Sequence, residues 1–577
     1  MLFHVLHLLL SSPIVLATSN GYAPIKVKCS GGKLTRSASE GLNKNEITYM
    51  ESRYPIAELN LASYLHSVEL EDFDVSSFLN EASPTIGLAF SGGGYRALLI
   101  GAGEYAALDA RTNISQGVGL GGILQSSSYI SGLSGGAWLV GSVVCNNLIS
   151  IDELIHNNTL WQTTNSILNY FDDNIVDQLL MWIDIGEQVR SKQDAGFSIS
   201  ITDVWGRALS YQFLTNKKDY GAGYRFSDLM NETNFRNHYA PFPILLAVGR
   251  VPDTNIVNLN STVFSLTPFE VGSESPYLNS FVATRSIGTL LDNGLPQNST
   301  CISGFDNAGF FMGTSSSLFN AIILSIDNAT LPDFLKEFIN ETIIDPIVKS
   351  NIDVAKYNPN AFYNSEDPQT SIESSKTLYL VDGGEDGQNI HLVPLLKRNM
   401  SIVFAFDNSA DINGLPDGTS LVKTYERQFF EAGAKTPFPY VPDQKSFLHL
   451  NLTSRPTFFG CNAGNLTALT DSVFDVPLVV YIANKQYSFA SNTSTFKLLY
   501  SIADRNAMIT NGFEVASMLN GTLDEEWRAC VGCAIIRREQ ERLGLEQTKQ
   551  CKLCFERYCW DGTIYEEKKL NISCYKS

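Results

Sequence analysis

The sequence predicts an α/β fold built on a central, mostly parallel sheet. Three observations carry this: residues 85–110, 122–145 and 377–396 each read as an apolar run, a glycine-broken turn and a helix-like continuation. Repeated strand–turn–helix units in one chain mean parallel strands with helices packed on them. Their active sites lie at the carboxyl ends of the strands.

Taken in order, residues 28–70 are mixed and polar, an N-terminal approach segment. Thr85 to Phe90 (TIGLAF) is apolar throughout, as a buried strand should be. Gly92, Gly93 and Gly94 break it, and small and apolar residues at helical spacing follow from Tyr95. The second unit approaches through Ser128, Tyr129 and Ile130, turns between Gly132 and Gly136, and continues in the apolar residues 137–144. Residues 146–376 then separate it from the third unit. They include an amphipathic stretch at 175–190, and read either as a cap-like insertion with a lipid-facing wall or as further sheet and helix. In the third unit Leu378-Tyr379-Leu380-Val381 leads into Asp382-Gly383-Gly384, with a helix resuming near His391. Residues 401–406 form another buried-strand candidate.

The whole chain has 577 residues, 44% of them hydrophobic, enough for a sizeable core. A formal charge of −19 argues against a basic surface for nucleic acid or anionic membranes. Residues 1–17 have the length and small-residue ending of a secretory signal peptide. No later run is long and apolar enough for a membrane span, and the C-terminus lacks the apolar tail of a glycolipid anchor signal. Thirteen N-x-S/T sequons lie at Asn113, Asn157, Asn231, Asn260, Asn298, Asn328, Asn340, Asn399, Asn451, Asn465, Asn492, Asn520 and Asn571. Together these features lead us to expect a secreted, extracellular glycoprotein, free or held in the periplasm or cell wall. Of the ten cysteines, Cys530, Cys533, Cys551 and Cys554 have spacing that alone would suit zinc. An oxidising compartment and an even total favour disulfides, with complete pairing permitted and no metal.

Gly132-Leu133-Ser134-Gly135-Gly136 matches G-x-S-x-G, the tight strand-to-helix turn that exposes a serine nucleophile, which makes Ser134 the candidate. The N–H groups of Gly93 and Gly94 open a helix, where they are unpaired and the dipole favours negative charge. They are candidate donors to an oxyanion. A dinucleotide or P-loop reading lacks its remaining residues: position 97 is Ala, and no Lys-Ser/Thr pair follows. Arg96, a cation on the first helical turn, opposes the dipole. It reads as a clamp for phosphate or developing negative charge, or else as a structural ion-pairing arginine. Asp382 follows a strand as a catalytic carboxylate should, and DGGEDG does not fit a calcium-binding EF-hand loop. The base is open at this stage. A Ser–His–Asp arrangement would draw on His391 or His449, whereas a Ser–Asp dyad would use Asp382 directly and keep activity into acid where histidine loses it.

The spacing of Gly-Gly-Gly-x-Arg, G-x-S-x-G and Asp-Gly-Gly resembles the patatin-like and cytosolic group-IV phospholipases, and most closely the secreted fungal lysophospholipases, or phospholipases B. FEVGSE at 269–274, FMGTSSSLFN at 311–320, VDGGEDGQNI at 381–390 and the cysteine-rich tail from Trp527 belong to the same resemblance. It implies a three-layer catalytic domain over residues 29–577, with the cysteine-rich tail at 527–577. It also implies Ser134 as nucleophile, Asp382 as base without histidine, Gly93 and Gly94 at the oxyanion, and Arg96 near the substrate phosphate or transition state. The implied substrates are lysophospholipids and phospholipids at a membrane or micelle surface. The resemblance leaves room for lysophospholipid transacylation beside hydrolysis, and implies no cofactor and no calcium-targeting domain.

Overall fold

A computed structural model of the chain describes residues 21–566 apart from 114–118, 157–158, 173, 253, 329–330, 346, 348–352 and 366–369. The signal-like residues 1–17 and Cys574 lie outside the described residues.

The first predicted unit forms β1 (Ile86–Phe90) and α1 (Gly94–Leu108), and the second forms β2 (Tyr129–Leu133) and α2 (Gly135–Cys145). The intervening stretch supplies β3 (Phe242–Gly249) and α3 (Ala308–Ser315). Then come β4 (Leu378–Val381), β5 (Ile402–Asp407), β6 (Leu478–Ala483), α4 (Ile502–Ser517), α5 (Trp527–Leu543) and α6 (Lys549–Tyr558). In space the parallel strands run β6, β5, β1, β2, β3. All their residues are buried, as are all those of α1 and α2. That is why the strand sequences are continuous apolar runs and do not alternate: both faces of the sheet are covered. α4 packs on α1 at backbone distance, since a Cβ on Gly103 would stand 1.9 Å from the Ile509 carbonyl oxygen.

Residues 146–376 supply further helix and sheet. Helices at Ile175–Asp194 and Ile201–Phe213 sit before β3. After it, strands at Val263–Leu266, Glu270–Ser273 and Ser280–Ala283 carry the sheet on in antiparallel fashion as far as Thr35–Ser37. Residues 28–70 hold a 24-residue helix, Lys44–Ser67, capped by Asn43 and with Pro55 inside it. Its Arg53 is buried and donates to the carbonyls of Ser127 (2.8 Å) and His238 (2.9 Å). One expectation is corrected: the Asp382 unit is not a third parallel unit, because β4 pairs antiparallel with β3, a direction that no local apolar pattern encodes.

The cysteine-rich tail is a helical hairpin. Cys530 and Cys533, one turn apart on α5, pair with Cys554 and Cys551 on α6, and Cys461–Cys559 ties the hairpin to the β6 edge. Cys29–Cys301 joins the N-terminal strand Ile25–Lys28 to Thr300–Ser303. Among the described residues Cys145, buried at the end of α2, is the one cysteine outside these four disulfides. Of the sequon asparagines, Asn157 and Asn571 lie outside the described residues. None of the other eleven is buried; Asn260 and Asn340 are half-buried and nine are exposed. No described helix is long and apolar enough to cross a membrane.

Candidate active site

Two strand ends meet at this site. β2 runs parallel to β3 with Leu133 opposite Leu246, while β4 runs antiparallel to β3 with Val381 opposite Val248. One further residue along each strand brings Ser134 and Asp382 from opposite directions to the level of Ala247. The sheet register therefore juxtaposes the two residues, although 248 positions separate them in the chain.

Ser134 sits at φ 51°, ψ −117°, the strained left-handed elbow expected of a nucleophile between strand and helix. Its hydroxyl lies close enough to the Asp382 carboxylate to favour the charged form. Asp382 also accepts the Gly384 N–H at 2.9 Å. Burial raises the Asp382 carboxyl to about 6, against lowering by the Gly384 N–H, the Ser134 hydroxyl and the nearby His391 ring. Burial thus holds this carboxyl above the ordinary aspartate range, which makes its charged form the stronger base.

Three consecutive buried serines, Ser315 to Ser317, start at the last residue of α3, and the outer two reach the pair. Ser315 Oγ accepts the Ser134 N–H (3.0 Å) and donates to the Leu246 carbonyl (2.6 Å). Ser317 Oγ accepts the Asp382 N–H at 3.0 Å. Between them, Ser316 Oγ takes the indole N–H groups of Trp138 and Trp205 and donates to the Met312 carbonyl.

The glycine loop lies directly against the elbow. A Cβ on Gly92 would stand 3.1 Å from Ser134 Cβ, and one on Gly135 would meet the Gly94 backbone at 2.2 Å. Gly93 and Gly94 have φ of 135° and 60°, conformations that aim the first amides of α1 without a Cβ in the way. Arg96 is 1% exposed and reaches across the β1–β5 boundary, where the strand order turns back. Its Nε donates to the Asn408 carbonyl (2.8 Å). Nη1 donates to the Thr493 carbonyl (2.7 Å) and Thr495 Oγ1 (3.0 Å), and Nη2 lies against Gly93. Burial lowers the guanidinium to about 10, still charged at neutral pH. The irregular segment 491–500 closes the site: the Thr495 carbonyl abuts Gly94, and the Phe496 ring lies 5.5 Å from Phe319. Ser134 is 3% and Asp382 2% exposed.

Neither candidate histidine reaches the nucleophile. His391 packs behind Gly383, its Nε2 against the Gly383 carbonyl (3.2 Å) and Asp386 (3.4 Å), and its Nδ1 has no partner. His449 is exposed and stacks on Tyr565 at 3.6 Å. Sequence reasoning thus named Ser134, Asp382, Gly93, Gly94 and Arg96, which the structure brings together. It gave no role to Ser315 and Ser317, although the serine run was visible. Thr493 and Thr495 carried no signal at all.

Residues 86–565 match the lysophospholipase catalytic domain family. Over 573 residues the chain is 58% identical to Lysophospholipase 1 of Candida albicans, covering 99% of this chain and 94% of that one. It is 46% identical over 564 residues to a lysophospholipase of Torulaspora delbrueckii, covering 95% and 86%. Its fold is similar to that of human GIVD cytosolic phospholipase A2, with a TM-score of 0.65 at 14% identity over 90% of this chain and 72% of that one.

Proposed function

The chain belongs to the lysophospholipase catalytic domain family and hydrolyses phospholipid acyl esters, and from that premise we propose that it does so through a Ser134–Asp382 dyad and a covalent acyl-enzyme. The observation that carries the proposal is the juxtaposition of the elbow serine and a buried carboxylate at the ends of β2 and β4, with Gly93 and Gly94 alongside.

Ser134 Oγ attacks the acyl carbonyl carbon and its proton passes to Asp382. The developing oxyanion is stabilised by the Gly93 and Gly94 N–H groups, a single such donor being worth about 3 kcal/mol. The positive charge of Arg96 beside Gly93 favours the same state and suits a nearby phosphate. The ester C–O bond then breaks, and the leaving glycerol oxygen takes the proton from Asp382. Water attacks the acyl-serine, giving its proton to Asp382, and the acid is released as Ser134 recovers a proton. A second lysophospholipid hydroxyl in place of water gives transacylation. Burial that raises the Asp382 carboxyl makes it a stronger base than an exposed aspartate. The Ser–His–Asp alternative lacks a histidine bonded to Ser134.

We further propose secretion and N-glycosylation, supported by the absence of any buried asparagine among the described sequons. A drop in mass of the secreted protein on N-glycanase treatment tests this. Fatty-acid release from lysophosphatidylcholine without calcium tests the enzyme reading. Wild type is expected to turn over and Ser134→Ala and Asp382→Asn to be inactive while folded; retained hydrolysis in either variant overturns the dyad.

A further inference from the structure

We propose that Ser315 and Ser317 are positioning residues that set the gap between nucleophile and base, each holding one of them by its main chain. The inference rests on the dyad reading above and goes beyond it. At the ends of β2 and β4 the ladder stops, so the N–H groups of Ser134 and Asp382 have no strand carbonyl to bond. Ser315 solves the first problem by standing in the rung. Its hydroxyl receives the Ser134 N–H and passes its own proton to the Leu246 carbonyl, so the hydrogen-bonded connection to β3 continues while the chain peels away into the elbow. Ser317 receives the Asp382 N–H from the opposite side. Both hydroxyls hang from one short segment, the end of α3 and the single turn after it, and both are essentially unexposed. Their separation is therefore fixed by local backbone geometry. That geometry is transferred to two catalytic residues otherwise held on strands of opposite direction.

Removing either hydroxyl leaves a buried N–H unpaired and frees one side of the dyad. A displacement of about 1 Å at such a site lowers turnover by about 100-fold while ground-state binding stays the same. Ser316 provides the internal control. It is equally buried and hydrogen-bonded, but to two tryptophans and Met312, and it touches neither Ser134 nor Asp382.

The test uses the full secreted chain. It measures kcat and KM on lysophosphatidylcholine micelles, with kcat expressed per site counted by exhaustive fluorophosphonate labelling, alongside thermal unfolding. Ser315→Ala and Ser317→Ala are expected to lose roughly 10- to 100-fold in kcat at unchanged KM. Ser316→Ala should lower the melting temperature with kcat per labelled site unchanged. If an alanine variant does not fold, Ser317→Cys keeps the volume with a weak acceptor and should show the same kcat loss in smaller measure. Wild-type kcat per labelled site in the Ser315 and Ser317 variants, with only stability affected as for Ser316, overturns the proposal. Ser134→Ala and Asp382→Asn run in parallel keep the two readings apart. Hydrolysis by either defeats the dyad, whereas their inactivity with full turnover in the serine variants defeats only the clamp.

Discussion

Asp382→Asn should make the protein more stable as it destroys activity. Burial raises this carboxyl from 3.8 to about 6, against the lowering by Ser134 and Gly384. At neutral pH the folded state therefore holds a carboxylate that it tolerates less well than the unfolded chain does. A folded value above the unfolded one contributes stability that is fully present below pH 4 and lost as pH rises through about 6. For a rise from 3.8 to about 6 the loss is about 3 kcal/mol, and asparagine avoids it while its amide oxygen still accepts the Gly384 N–H. Unfolding of wild type and variant would be followed by urea titration from pH 4 to pH 8, beside fatty-acid release. The expected result is near-equal stability at pH 4, a variant more stable by about 3 kcal/mol at pH 8, and activity reduced at least 1000-fold. A variant less stable than wild type at pH 8 would refute the account of a carboxylate held against its burial.

In the pH–rate profile, kcat/KM should fall tenfold per pH unit below about 6, and His391→Gln should keep that limb and most of the activity. Loss of the limb in that variant would make the histidine the titrating base. Gly94→Ala places a Cβ 2.3 Å from the Thr495 carbonyl at a φ of 60°, so oxyanion support and 100- to 1000-fold of kcat should go, as read by steady-state kinetics. Replacing Cys461 and Cys559 together by alanine opens a 98-residue link and should lower stability by about 4–5 kcal/mol in a denaturant titration, with the helical-hairpin disulfides still found by non-reducing peptide mapping.

The parallel core was legible because each strand is a buried run and each turn is glycine-marked, signals that survive without partners. Ser134 and the glycine loop were legible for the same reason. The direction of β4 was not: LYLV reads alike in either orientation, and only the overhang of β3 beyond β2 makes the antiparallel pairing available. The helix at Lys44–Ser67 was not read from the sequence, although Asn43 and the spacing of Tyr49, Arg53, Ala57 and Leu61 announce it in retrospect. Ser315 and Ser317 act on main-chain amides far away in sequence. A serine run by itself gives no sign of such partners.

The most direct test of the central claim is to quench wild-type enzyme during turnover of a long-chain lysophosphatidylcholine and map the covalent acyl group by peptide mass. The account predicts the fatty-acyl group on Ser134 in wild type and no acylated peptide in Ser134→Ala. An acyl group on another residue, or fatty acid released by Ser134→Ala, would contradict it.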